Sequence, residues 1–180
     1  ALPIYCARDS RRMRIAVASE SFLPRINGVT NSVARVLEHV ERRAEKAIVF
    51  APGVDDGSSY AGSDVVGLPW VPMPGYREVC ISTAGTRTFV NHFREFRPDV
   101  IHLASPFMIG PPVIRAARSL DIPVVAVFQT DMAGFASQYG LSALQEMAWS
   151  RLRRIHDGAD VTLVPSTATH RMLEQQGFSR

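Results

Sequence analysis

The chain predicts a doubly wound α/β domain with a mostly parallel sheet, and three observations lead there. Six short runs rich in valine and isoleucine recur at 14–19, 46–51, 64–68, 100–103, 124–128 and 161–164, as strands covered on both faces require. Longer segments with apolar residues at helical spacing lie between them. The two kinds alternate along the chain, which calls for right-handed crossovers over a parallel sheet with helices on both sides.

The elements follow in order. After the first run comes a polar loop ending in Asn27-Gly28. From 31 to 44, Val33, Val36, Leu37 and Val40 share one stripe while Arg35, Glu38, Arg42 and Arg43 fall elsewhere, so a helix there has one face for a sheet and one for water. The second and third runs then read as strands. Helical spacing returns over 83–96, 109–119, 141–156 and 167–176, with the remaining runs between them and Gly177 as a natural terminator.

Composition sets bounds on function. A length of 180 residues with 46% hydrophobic content is enough for one full-sized core. Twenty basic side chains against seventeen acidic ones give a net charge of +3, too balanced to argue for a nucleic-acid partner. Cys6 and Cys80 are too few for a disulfide framework or a structural zinc site, which suits a cytoplasmic protein. No run approaches the roughly 20 apolar residues that span a bilayer. Residues 1–12 place their arginines after rather than before the apolar stretch, so they read as a disordered leader or artefact ahead of Met13 instead of a signal peptide.

In doubly wound sheets, ligands gather beyond the carboxyl ends of the strands. The segments there are 20–28, 105–110, 129–131 and 165–166. A strand that delivers Gly28 to the start of a helix offers bare backbone N–H groups to an anion, the outline of a phosphate site. Asn-Gly is equally at home in an ordinary tight turn. Ser166 reads as a helix N-cap. Gln129 and Asp131 stand at alternate positions on one side of an extended chain, where they can grip sugar hydroxyls together; capping and backbone satisfaction are their structural alternatives. Phe135, Tyr139 and Trp149 are pocket-wall or core aromatics.

Several chemistries drop out. The first loop lacks the Gly-x-Gly-x-x-Gly fingerprint, and neither a Gly-Lys-Ser/Thr phosphate loop nor a Gly-x-Ser-x-Gly elbow occurs. The five histidines, His39, His92, His102, His156 and His170, are scattered without the spacing of a metal cage and read as surface or packing residues, so no metal or other cofactor is expected.

The ordered set Glu20-Ser21-Phe22-Leu23-Pro24-Arg25-Ile26-Asn27-Gly28-Val29, Ser105-Pro106, Phe128-Gln129-Thr130-Asp131, Asp157-Gly158-Ala159-Asp160-Val161 and Val164-Pro165-Ser166 resembles the amino-terminal, Rossmann-like half of family 4 glycosyltransferases of the GT-B fold. It is most similar to their actinobacterial GDP-mannose-dependent α-mannosyltransferase members. The resemblance implies that residues 13–180 form an acceptor-side domain, with the donor-binding carboxyl-terminal domain absent and this piece inactive alone. It implies donor diphosphate contacts at Asn27 and Gly28, catalytic or sugar contacts at Gln129 and Asp131, and acceptor contacts at Glu20, Arg77, Ser105 and Thr130. The implied partners are a nucleotide sugar, a glycolipid, lipoglycan or polysaccharide acceptor, and the missing domain.

Departures from the family pattern carry consequences. Many relatives have histidine where Gln129 stands, and glutamine orients without titrating. Ala44 replaces a frequent glycine at the end of the first helix, so either a left-handed cap there costs about 1 kcal/mol or the helix ends differently. Cys80 stands where a basic side chain is common, with Arg77 three residues earlier. Arg42, Arg43, Arg151, Arg153 and Arg154 offer peripheral contact with the inner face of the plasma membrane, against the alternative of a solvated helix face. The competing functions are a transferase of the same fold using UDP-glucose or another donor, and a non-catalytic sugar- or nucleotide-binding module.

Overall fold

The computed structural model describes residues 12–73, 75–129 and 142–179, with backbone alone at 76–78 and 142–145. Its elements run β1 (Arg14–Ala18), α1 (Gly28–Arg42), β2 (Lys46–Pro52), β3 (Ser59–Tyr60), β4 (Ser63–Leu68), β5 (Trp70–Met73), β6 (Tyr76–Ser82) and α2 (Thr86–Phe96). They continue with β7 (Val100–Leu103), α3 (Gly110–Arg118), β8 (Val124–Val127), α4 (Ser142–His156), β9 (Val161–Leu163) and α5 (Thr167–Gln175). The leader to Arg11, Cys6 included, lies outside the described residues, as do Thr130, Asp131, Phe135 and Tyr139.

Among the described residues one sheet has the order β3-β4-β2-β1-β7-β8-β9. All its pairings are parallel except β3 with β4, so the expected doubly wound α/β architecture holds. The alternation of side chains along each strand builds two cores. Val17, Val49 and Ala51 turn toward Val33, Leu37 and Val40 of α1. Their neighbours Ala16, Ala18, Ile48 and Phe50 turn to the other face, against Phe89 and Phe93 of α2 and Val113 and Ala117 of α3. Phe50 meets both phenylalanines edge-on, at centroid distances of 6.1 and 5.8 Å.

Three expectations need correction. The first helix starts at Gly28, three residues early, because Oδ1 of Asn27 accepts the N–H of Thr30 at 2.9 Å and caps it. The helix expected over 83–96 starts at Thr86, because residues 83 and 84 are tied to the loop before them: Thr83 donates to the Pro69 carbonyl and Ala84 to Oγ of Ser82. Just ahead of them stands an unforeseen antiparallel hairpin of β5 and β6, in which Pro72 is tolerated because a two-stranded ribbon has only edges. The last strand is not covered on both faces, since β9 is an edge strand with Val161 and Leu163 about half exposed.

The first helix ends as its left-handed cap requires, but with alanine. Ala44 has φ 54°, its N–H donates to the Glu41 carbonyl, and the N–H of Glu45 donates to Val40, the paired bonds of a Schellman motif. An L-residue there is held against a steric penalty that glycine lacks. Ala44→Gly is therefore expected to stabilise the domain by about 1 kcal/mol, read as a higher urea midpoint at unchanged slope.

Candidate functional site

The carboxyl ends of β1, β7 and β8 share one edge of the sheet. At that edge the chain leaves β1 toward α1 on one face and leaves β7 toward α3 on the other, so the loops 19–27 and 104–109 part at a topological switch point. A crevice opens there.

Glu20 closes its floor. Its Oε1 accepts the backbone N–H groups of Met108 and, at 3.1 Å, Ile109, the amides leading into α3. That helix has no side-chain cap of its own and carries prolines in its first turn, so a carboxyl from a distant loop satisfies its leading donors. Gly110 lets the turn sit close to α4, since a Cβ there would lie 3.0 Å from Ile155. Arg151 supports the same loop by donating from Nε to the Phe107 carbonyl at 2.6 Å.

Gln129 makes the second clamp. Its Nε2 donates to the carbonyl of Ala104 at 2.7 Å, joining the end of β8 to the loop after β7. Glu20, Ser105 and Gln129, three of the residues expected at the site, thereby line one small cleft of about 20 Å³ with His156. Such a space admits about one water molecule.

The others are placed differently. Asn27 spends its side chain on structure, with Oδ1 capping α1 and Nδ2 donating to Oγ of Ser21 at 2.7 Å. Gly28 is exposed at the first turn of α1, and apart from its chain neighbours and its own helix backbone no described atom lies within 4 Å of where its Cβ would stand. Its N–H and that of Val29 have no acceptor among the described residues. Both residues sit at the same sheet edge as Gln129 but outside its cleft. Arg77 belongs to β6, where only backbone is described, and Thr130 and Asp131 lie outside the described residues.

Trp149 is core rather than pocket wall, stacked on Phe128 at 6.3 Å. Ser166 caps α5 through Thr169, as expected. The neighbour of Gly53 is less readable from sequence: Arg25 donates to the Gly53 carbonyl at 2.9 Å, over buried Cys80, in space that any Cβ at 53 would take.

His156, read from sequence with the scattered histidines, is a wall of the cleft. It is fully buried, with Nδ1 3.1 Å from Oγ1 of Thr162 and its ring 5.7 Å from both Phe128 and Phe178. Its Nε2 has no partner among the described residues. Leaving such an atom unpaired costs about 1–3 kcal/mol. Only its place after an apolar helical stripe and before Asp157-Gly158 hinted at burial in the sequence.

The larger hollows lie elsewhere. Arg115 and Arg118 of α3 and Arg151 and Arg154 of α4 line one of about 340 Å³. The five arginines expected to offer peripheral membrane contact are divided: Arg42 and Arg43 end α1 on the opposite face of the sheet, and Arg153 pairs with Glu146 at 2.7 Å. Among the described residues no cluster of three or more metal-ligating side chains occurs, and no helix is long and apolar enough to cross a membrane.

Residues 26–180 match glycosyltransferase family 4. The chain belongs to that family. This family 4 domain is 45% identical over 172 residues to a GDP-mannose-dependent alpha-mannosyltransferase of Mycobacterium tuberculosis, covering 93% of the chain and 46% of the relative. A protein of the same description from Corynebacterium glutamicum is 40% identical over 173 residues, 94% of the chain and 42% of the relative. The sulfoquinovosyl transferase SQD2 of Arabidopsis thaliana is 29% identical over 160 residues, 88% of the chain and 31% of the relative. The family 4 domain thus spans less than half the length of these relatives.

Burial gives the cleft opposed titrations. It pushes Glu20 up from 4.5 to about 7, against the two amides and Arg151, which pull it down. Between those values the folded domain holds a proton that the unfolded chain has released, so this group's contribution to stability falls as pH rises. Burial draws His156 down from 6.5 to about 4, with Asp157 opposing, so there the unfolded chain holds the extra proton and stability rises with pH. The slopes counteract one another where the windows overlap. Glu20→Gln removes the falling one, so urea unfolding of the variant should show stability rising from pH 4.5 to 6.5 more steeply than in the parent domain, by on the order of 2 kcal/mol across the window.

Proposed function

We propose that this domain is the acceptor-side half of a retaining α-mannosyltransferase that moves mannose from GDP-mannose to a lipid-linked or polysaccharide acceptor. The observation that carries the reading is the switch-point crevice, clamped by Glu20 and Gln129, in a chain 40–45% identical over more than nine-tenths of its length to relatives described as GDP-mannose-dependent. The amides of Gly28 and Val29, which have no acceptor among the described residues, suit approach by a diphosphate at a helix N-terminus. Ser105 and Gln129 supply hydrogen bonds for sugar hydroxyls, with Thr130 and Asp131 following Gln129 in sequence and Arg77 assigned to the acceptor.

Retention requires that positive charge developing on the sugar and negative charge on the departing diphosphate be stabilised together. The described residues place no cationic pair at the α1 end of the crevice, so that part of the work falls to the rest of the protein. The domain by itself is expected to be inactive. No metal-dependent step is assigned to it.

Peripheral contact with an anionic bilayer from the cytoplasmic side is assigned to the α3–α4 arginines, because none of the four forms an ion pair with a described carboxylate. Each contributes about 1 kcal/mol near a charged surface. Removing two, with Arg118→Ala and Arg154→Ala, is expected to weaken co-sedimentation with phosphatidylglycerol vesicles about 30-fold, and an equal loss from Arg42→Ala with Arg43→Ala contradicts the assignment.

The transfer reading is tested in the full-length protein. Gly28→Val fits the open space at α1, so it should leave the unfolding midpoint nearly unchanged while raising the KM for GDP-mannose. Gln129→Ala should lower kcat/KM by about 10- to 100-fold through lost hydrogen bonds. Undiminished transfer in both variants removes the crevice from the mechanism, and a donor panel that includes UDP-glucose decides the nucleotide sugar.

A further inference from the structure

The transfer chemistry finds no use for His156, yet the fold places it with care. A histidine at the last position of α4, fully buried between two phenylalanine rings, occupies a spot that an apolar side chain could fill without a polar atom to satisfy. One ring nitrogen is accounted for by Thr162. The other, Nε2, is unpartnered among the described residues, and the ring lines the cleft beneath Gln129.

The cleft matches a particular occupant. Its volume of about 20 Å³ exceeds the 10–15 Å³ that one water needs. Its wall is polar enough, since Glu20, Ser105 and Gln129 face the same space. A buried water needs two to four such partners.

We infer that one buried water occupies this cleft, joining Nε2 of His156 to the polar wall of Glu20, Ser105 and Gln129, and that His156 is thereby a positioning residue for the Gln129 carboxamide. The neutral imidazole carries a single N–H. If Thr162 donates to Nδ1, then Nε2 holds the hydrogen and donates to the water; if Nδ1 donates to Thr162, then Nε2 accepts from it. A water serves either tautomer because it can donate and accept, whereas Oε1 of Glu20 and Nε2 of Gln129 are already held by Ile109 and Ala104. Burial, which keeps His156 neutral to about pH 4, agrees with a role in orientation and not in proton transfer. The positioning part rests on the proposed role of Gln129; the water does not.

Two measurements on the full-length protein decide the matter. A crystal structure at high resolution should show an ordered water within about 3.2 Å of Nε2 and of at least one atom of the polar wall. A dry cleft, or Nε2 bonded directly to protein, overturns the inference. In kinetics, His156→Phe keeps a ring but removes both nitrogens, and it should raise the acceptor KM about tenfold at unchanged unfolding midpoint. Combined with Gln129→Ala, it should add nothing to the loss from Gln129→Ala alone, because both changes break one network. Additive losses overturn the positioning role. Should the phenylalanine variant not fold, His156→Gln takes its place in the same cycle, with partial activity expected from its single amide group. If the full-length protein transfers no mannose, the transfer reading fails while the crystallographic water still stands or falls by itself.

Discussion

Glu20 reaches from the loop behind β1 to the amides that lead into α3, and so ties together segments 88 positions apart in the sequence. The bond crosses the place where the two halves of the winding diverge. Without it the α3 turn would present uncapped donors and prolines to a crevice that two loops alone define. The carboxyl gains the amides but loses water, and its raised proton affinity records the balance. Gln129 repeats the device one strand over with a neutral group, gripping a carbonyl where Glu20 grips amides.

These clamps have a firm base because the central strands are wedged between two cores. The smallness of Ala16 and Ala18 on one face of β1 leaves room for the phenylalanine cluster of Phe50, Phe89 and Phe93 near by. On the other face, Val17 meets the valine and leucine stripe of α1. The loops are thus held by strands that cannot shift by one residue without exchanging their two apolar sets.

What the sequence made legible follows from the range of each interaction. The central strands and the helix stripes rest on local pattern, and β7 stands where its Val-Ile-His-Leu run lies. The β5–β6 hairpin was hidden by Pro69, Pro72 and Pro74, which signal loops unless the ribbon has free edges. Asn27 was ambiguous because one residue type serves both a phosphate loop and a helix cap, and only the 2.9 Å bond to Thr30 distinguishes its use here. Glu20 and Ser105 could be picked out after their strands, but the partners of Glu20 could not, since a bond spanning 89 positions of the sequence leaves no periodic trace. His156 was concealed for the opposite reason: a solitary histidine has no spacing to interpret, and its meaning comes from Thr162 and the rings around it.

The outer side of β9 has its own implication. Its ladder groups face away from β8 with no further strand among the described residues, and Val161 and Leu163 stand half open beside them. Such a margin is adhesive toward any extended peptide, including another molecule of its kind. At three residues the strand presents too few rungs to hold a chance visitor for long, so its brevity acts as a guard against self-association.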